Sequence, residues 1–146
     1  LLSPAMIDDK GERQYPCKRY PSVLDLALRG FAPAWLKRRF ARRLARYEMR
    51  DLPTDQPSRV PLLSGACLFC RRARVEKIGG FCEAFFVYFE DFDLSIRVQD
   101  QGSLVYAPDI QVIHSGGYAA SKGLHHIYLF TTAAFRFFRR HGWKWC

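Results

Sequence analysis

Residues 81–97 read FCEAFFVYFEDFDLSIR, with Glu83, Glu90, Asp91 and Asp93 set among six aromatic residues. Charge beside apolar surface is costly unless it is paired, hydrated or used. Either the acids lie on the solvent side of an amphipathic helix, or Glu90 and Asp91 line a pocket and act there. The pattern predicts a helix over EDFDLSIRVQDQG, ended by Gly102. On it Phe92 and Ile96 share one face, and Leu94 and Val98 a neighbouring one. Asp93 stands four residues before Arg97, the spacing of an ion pair along a helix. Glu90 and Asp91 would open the helix, where the dipole and free backbone amides favour carboxylates. By spacing alone, an acidic first turn on an ordinary helix accounts for them.

The flanking segments suggest an α/β order. LLSGACLFC reads as a buried strand, RRARVEKIGG as a short helix ended by Gly79 or Gly80, and FCEAFFVY as loop or extended chain. SLVYAPDIQVIH reads as two extended segments broken at Pro108, SGGYAASKG as a flexible loop, and HHIYLFTTAAFRFFRRHG as a final amphipathic helix. Before this block, residues 1–21 look irregular. Ser22 is placed to cap a helix ending at Gly30, and Pro33 to open a second through about Tyr47, with Trp35, Leu36, Phe40, Leu44 and Tyr47 on its apolar side. DLPTDQPSRVP, with three prolines, separates an irregular and basic helical part (1–59) from the rest (60–146) within a single domain.

The 146 residues are 49% hydrophobic and carry a net charge of +9, enough apolar content for one folded core. The positive charge is concentrated in WLKRRFARRLAR (35–46), with six Lys or Arg, and in FRFFRRHGWKW (135–145), with four and five aromatics. Such segments suit an anionic membrane surface or equally a solvated basic face. No initiator Met or signal peptide is evident, and the run IYLFTTAAF is too short to span a bilayer. Five cysteines at irregular spacing argue against a secreted disulfide framework and for a reducing cytoplasm. Cys67 and Cys70 form a C-x-x-C with no second pair to complete a zinc site, so core packing is the expectation for them.

The ordered set SGACLFCRR, IGGFCEAFFVYFEDFDLSIR, a Gly-containing turn and YAPDIQVIHSGG closely resembles the second half of the catalytic domain of family 2 glycosyltransferases, in the subgroup of bacterial rhamnosyltransferases that build cell-surface polysaccharides. SPAMIDDKGERQ…KRYPS resembles the stretch that precedes it there. The resemblance implies a Rossmann-like domain of the GT-A type and an inverting transfer from a nucleotide-sugar to a glycan or lipid-linked acceptor. By resemblance Asp91 is the base that takes the acceptor hydroxyl's proton. Glu90 positions Asp91 or contacts the acceptor, and Arg97 holds Asp93 and the helix beside the substrate. Ser64, Gly65 and Ala66 are the small residues near the sugar, and His114 lies near the diphosphate or the metal, Mg or Mn. The aromatics would keep the pocket dry and raise the basicity of Asp91.

Cys82 departs from the family, which has Asp at that place. The family's nucleotide-binding half and its metal-binding Asp-x-Asp would precede residue 1, so the chain alone is expected to be inactive, and a sheet cut there would expose an edge open to self-association. The expected location is cytoplasmic, peripheral on the inner face of the plasma membrane. Two other readings compete. A non-catalytic remnant or interaction module fits Cys82 and the missing half. A nucleic-acid-binding module fits the charge, but it is opposed by the acidic motif and by the lack of any recognition signature, so no nucleic-acid partner is expected.

Overall fold

The computed structural model describes residues 1–115 and 123–146, the side chains of residues 123 and 124 excepted. The loop expected at SGGYAASKG thus lies almost wholly outside the described residues. The architecture is mixed α/β. Strand β1 (Leu2–Ile7) runs parallel to β6 (Val105–Ile113), and β2 (Arg13–Gln14) and β4 (Ser58–Arg59) flank them antiparallel in the order β2-β1-β6-β4. A second ribbon pairs β3 (Cys17–Lys18) with β5 (Leu62–Leu63).

The N-terminal segment is therefore not irregular: LSPAMI forms an interior strand, with Ser3, Pro4 and Met6 buried. Pro4 disguises it, because proline withholds a ladder donor. The structure accommodates this with a register shift between Pro4, opposite Ala107, and Ala5, opposite Gln111. Residues 108–110 bulge out there, so the break expected at Pro108 is an irregularity inside one strand rather than a strand end. The sheet is short at both sides: β2 pairs only with Met6 and Ile7 of β1, and β4 only with Val105 and Tyr106 of β6, while a bridge joins Leu2 to Phe69.

Helix α1 (Val23–Phe31) begins as the sequence suggests. Ser22 and Asp25 form a capping box. The Val23 and Leu24 amides, free in the first turn, donate to the Lys144 and Trp145 carbonyls near the C-terminus. The basic helix expected over 33–47 is two, α2 (Ala34–Arg39) and α3 (Ala41–Tyr47), broken at Phe40. Its basic face is also not all solvated: Arg43 turns inward, its Nε donating to Asp25 at 2.6 Å.

The strand expected over LLSGACLFC is only Leu62–Leu63, followed by a turn that leaves Gly65, Ala66 and Cys70 exposed and Cys67 half-buried. Core packing does not describe that cysteine pair. Helix α4 (Arg72–Lys77) ends at Gly79 and Gly80, both in the left-handed region that glycine adopts freely. Helix α5 (Glu90–Gln99) and helix α6 (Gly123–His141) follow as expected. Phe89 packs on Phe137 at 5.2 Å and on Phe130 at 5.4 Å between ring centroids, joining α6 to the start of α5.

Candidate active site

Helix α5 is held at two faces, and its pitch decides what each side chain does. Ser95, fully buried, accepts from the Leu63 N–H at 3.1 Å and so fixes α5 against β5. Asp91 lies one turn earlier on the same face. It therefore reaches the backbone just beyond β5, where Gly65 N–H donates to Asp91 Oδ2 at 2.8 Å. Asp91 Oδ1 accepts the Phe92 N–H at 2.8 Å. Two accepted bonds leave a carboxylate with free lone pairs for an incoming proton.

The opposite face carries Asp93, with no exposed surface. Arg97 Nε donates to Asp93 Oδ2 at 2.7 Å, and His141 Nε2 and Arg140 Nε lie 2.8 and 3.1 Å from Oδ1. Arg97 also donates to the Ile78 and Gly80 carbonyls at 2.8 and 2.7 Å. Its guanidinium thus clamps α5 to the end of α4. Arg97 is not among the residues that line the cleft below Asp91, whereas Glu90, Asp91, Ser64, Ala66 and His114 are.

That cleft holds about 640 Å³ and is bounded by the β2–β3 segment, α1, the end of α3, the 64–66 turn, the start of α5 and His114. Tyr88 and Phe89 aim the helix start into it. Both adopt left-handed backbone, with φ of 66° and 64°, a conformation that costs non-glycine residues roughly 1–3 kcal/mol each. The turn sends Phe89 into the core and leaves Tyr88 facing the cleft, its hydroxyl 3.0 Å from His126 Nδ1. The FFVYF run is thus divided: Phe85 and Phe89 are core, Phe86 is 90% exposed, and only Tyr88 and Phe89 reach the cleft.

Burial pushes the Asp91 carboxyl up to about 6, against backbone hydrogen bonds from Gly65, Phe92 and its own amide, and the neighbouring Glu90 charge adds to the rise. Glu90 Oε2 is buried and has no hydrogen-bond partner among the described residues. His114 sits across the cleft. Gln14 Nε2 donates to the His114 carbonyl, which leaves Gln14 Oε1 to accept from Nδ1 at 2.8 Å. Nδ1 therefore carries a hydrogen, and among the described residues no hydrogen bond is made by Nε2, so the ring is oriented as a held imidazole ligand would be. No group of three His, Cys, Asp or Glu able to hold a metal occurs among the described residues.

Gly65 carries a testable constraint. A Cβ there would stand 3.3 Å from Asp91 Cβ and 3.7 Å from Oδ2. Gly65→Ala is expected to displace the carboxyl and lower any Asp91-dependent turnover about tenfold or more with little change in melting temperature. Unchanged turnover would show that the contact is not needed.

No family model matches the chain, and no solved structure matches it. It is 31% identical over 123 residues to the N-acetylglucosaminyl-diphospho-decaprenol L-rhamnosyltransferase of Mycobacterium tuberculosis, with the same figures for the proteins of two strains. The match covers 83% of this chain and 39% of those relatives, so the chain spans well under half of the curated proteins it matches. Over most of its length, the chain is rhamnosyltransferase-like glycosyltransferase sequence.

Proposed function

We propose that the protein to which this sequence belongs is an inverting glycosyltransferase of family 2 and GT-A type, moving a sugar from a nucleotide-sugar to a glycan or lipid-linked acceptor in cell-envelope polysaccharide synthesis, and that this chain carries the base. The observation that carries the reading is Asp91: one carboxyl at a cleft wall, oriented by Gly65 N–H, with a proton affinity raised to about 6 by burial. A base with a pKa just below the working pH is mostly ionised yet accepts a proton readily. In the reaction Asp91 takes the proton of the acceptor hydroxyl as that oxygen attacks the anomeric carbon. Glu90 lines the same cleft and, in this reading, positions Asp91 or contacts the acceptor.

Nε2 of His114 fits one ligand of a divalent cation, Mg or Mn. Such a cation, when bound, neutralises the donor diphosphate; no other residue of this chain is assigned to it. The test is nucleotide release by wild type and Asp91→Asn from nucleotide-sugars with membrane extract as acceptor. A collapse in the variant with donor binding retained supports the base.

A peripheral place on an anionic membrane, at the inner face of the plasma membrane, belongs to the same proposal. Among the described residues no helix is long and apolar enough to cross a membrane. Phe31, Trp35 and Trp145 stand half or more exposed, beside the basic run of α2 and α3 and against the start of α1. The chain should bind vesicles containing phosphatidylglycerol and release them in 0.5 M salt, while Trp35→Ser weakens the binding severalfold. Equal binding to neutral vesicles would sink this placement.

A further inference from the structure

The cleft below Asp91 is lined by both acids and bases. Asp8 accepts from the Lys10 and Glu12 amides of its own turn, and Asp9 accepts from Ser115 Oγ, both toward His114. Arg13, Lys18, Arg29 and Arg50 line the cleft together with one carboxylate, Glu48. Glu48 acts as a bracket. Arg50 donates to its Oε2 through Nε at 2.9 Å and Nη2 at 2.5 Å, and Arg29 Nε lies 3.4 Å from Oε1. Two of the guanidiniums stack on the Tyr15 ring, Arg50 at 4.8 Å and Arg13 at 5.3 Å from its centroid.

Lys18 is the member that a merely structural cluster does not explain. It is 6% exposed, and its ammonium donates to the Tyr15 carbonyl, a neutral acceptor. Burial and the neighbouring Arg29 charge lower its pKa to about 8, against the weaker pull of Glu48. A buried cation beside other cations is unfavourable unless an anion joins it. Counted alone, the four cations and the one carboxylate of this group carry a formal excess of three positive charges. Guanidiniums held by a carboxylate and an aromatic ring present fixed forks that match phosphate oxygens.

We propose that Arg13, Lys18, Arg29 and Arg50 form a phosphate-binding subsite that seats the diphosphate of a lipid-linked acceptor while its sugar reaches Asp91. The subsite rests on the glycosyltransferase reading for the identity of its ligand, but not for the binding of diphosphate itself.

The first probe is inorganic pyrophosphate, titrated by calorimetry into the chain with EDTA present to exclude metal bridging. Wild type is expected to bind it. Arg50→Gln and Arg29→Gln should each weaken binding at least fivefold, and Arg50→Lys should keep most of it. Arg139→Gln makes the same charge change on an exposed part of α6 outside the cleft and should bind as wild type does. Absence of wild-type binding at millimolar pyrophosphate, or equal losses in Arg50→Gln and Arg139→Gln, overturns the subsite.

The second arm separates acceptor from donor in the complete enzyme. Arg50→Gln should raise KM at least tenfold for a diphosphate-linked acceptor and leave the donor KM unchanged. A shift in the donor KM instead would overturn the acceptor assignment. If no sugar transfer occurs at all, the glycosyltransferase reading falls, and pyrophosphate binding alone decides the subsite.

Discussion

Asp91→Asn should lower turnover roughly a hundredfold or more, the loss expected when a general base is removed, and should at the same time make the protein more stable at neutral pH. The two effects share one cause. Folding raises the Asp91 pKa from 3.8 to about 6. Between those values the folded state holds the proton and the unfolded state does not, so stability falls as pH rises through the window and stays at the lower level above it. A shift of this size corresponds to at most about 3 kcal/mol. Asparagine is neutral at every pH and can still accept the Gly65 N–H, so the gain should appear at pH 8 and vanish near pH 3. Urea unfolding of both proteins at the two pH values measures it. Wild-type turnover should rise with pH through about 6 and level off. If Asp91→Asn turns over normally, the carboxylate only caps α5.

Asp93→Asn should do the reverse. Asp93 is fully buried and meets Arg97, Arg140 and His141 together. Removing the carboxylate charge leaves the largely buried Arg97 with no counter-charge and His141 without its charged partner. Breaking such a buried pair costs about 3–5 kcal/mol, which for a chain of this size lowers the melting temperature by roughly 10 °C. Arg140→Gln is the control: its side chain is 47% exposed, so its ion pair is screened and should contribute under about 1 kcal/mol. If Asp93→Asn melts within a degree or two of wild type, this cluster does not hold α5 and α6 together.

Helix α5 and its Asp93–Arg97 pair were legible in the sequence, because a four-residue spacing is a local signal. So was the capping box of α1. The residues around Asp91 were legible by resemblance rather than by chemistry, since nothing in SGA says that a glycine amide will meet a carboxylate 26 residues later. The remaining differences have distinct causes. Pro4 and Pro108 hide paired parallel strands, because proline suppresses a strand pattern even where a bulge tolerates it. Phe40 sits on the expected apolar stripe of one helix yet marks the junction of two. The basic cluster left no trace because Lys18 of β3, Arg29 of α1 and the Glu48–Arg50 turn after α3 are far apart in sequence, and composition had assigned the positive charge to the surface. Arg140 and His141 looked like the polar end of an amphipathic helix until the fold brought them back to Asp93.

That return sets an order on synthesis. When a ribosome has released the chain only as far as residue 130, Asp93 has Arg97 but lacks Arg140 and His141, and the first amides of α1 lack the carbonyls of Lys144 and Trp145. The growing chain then holds an under-neutralised acid where its interior must close. The helices made early wait for the residues made late, and until those arrive the aromatic surface of residues 85–92 stays open to chaperones or to other nascent chains.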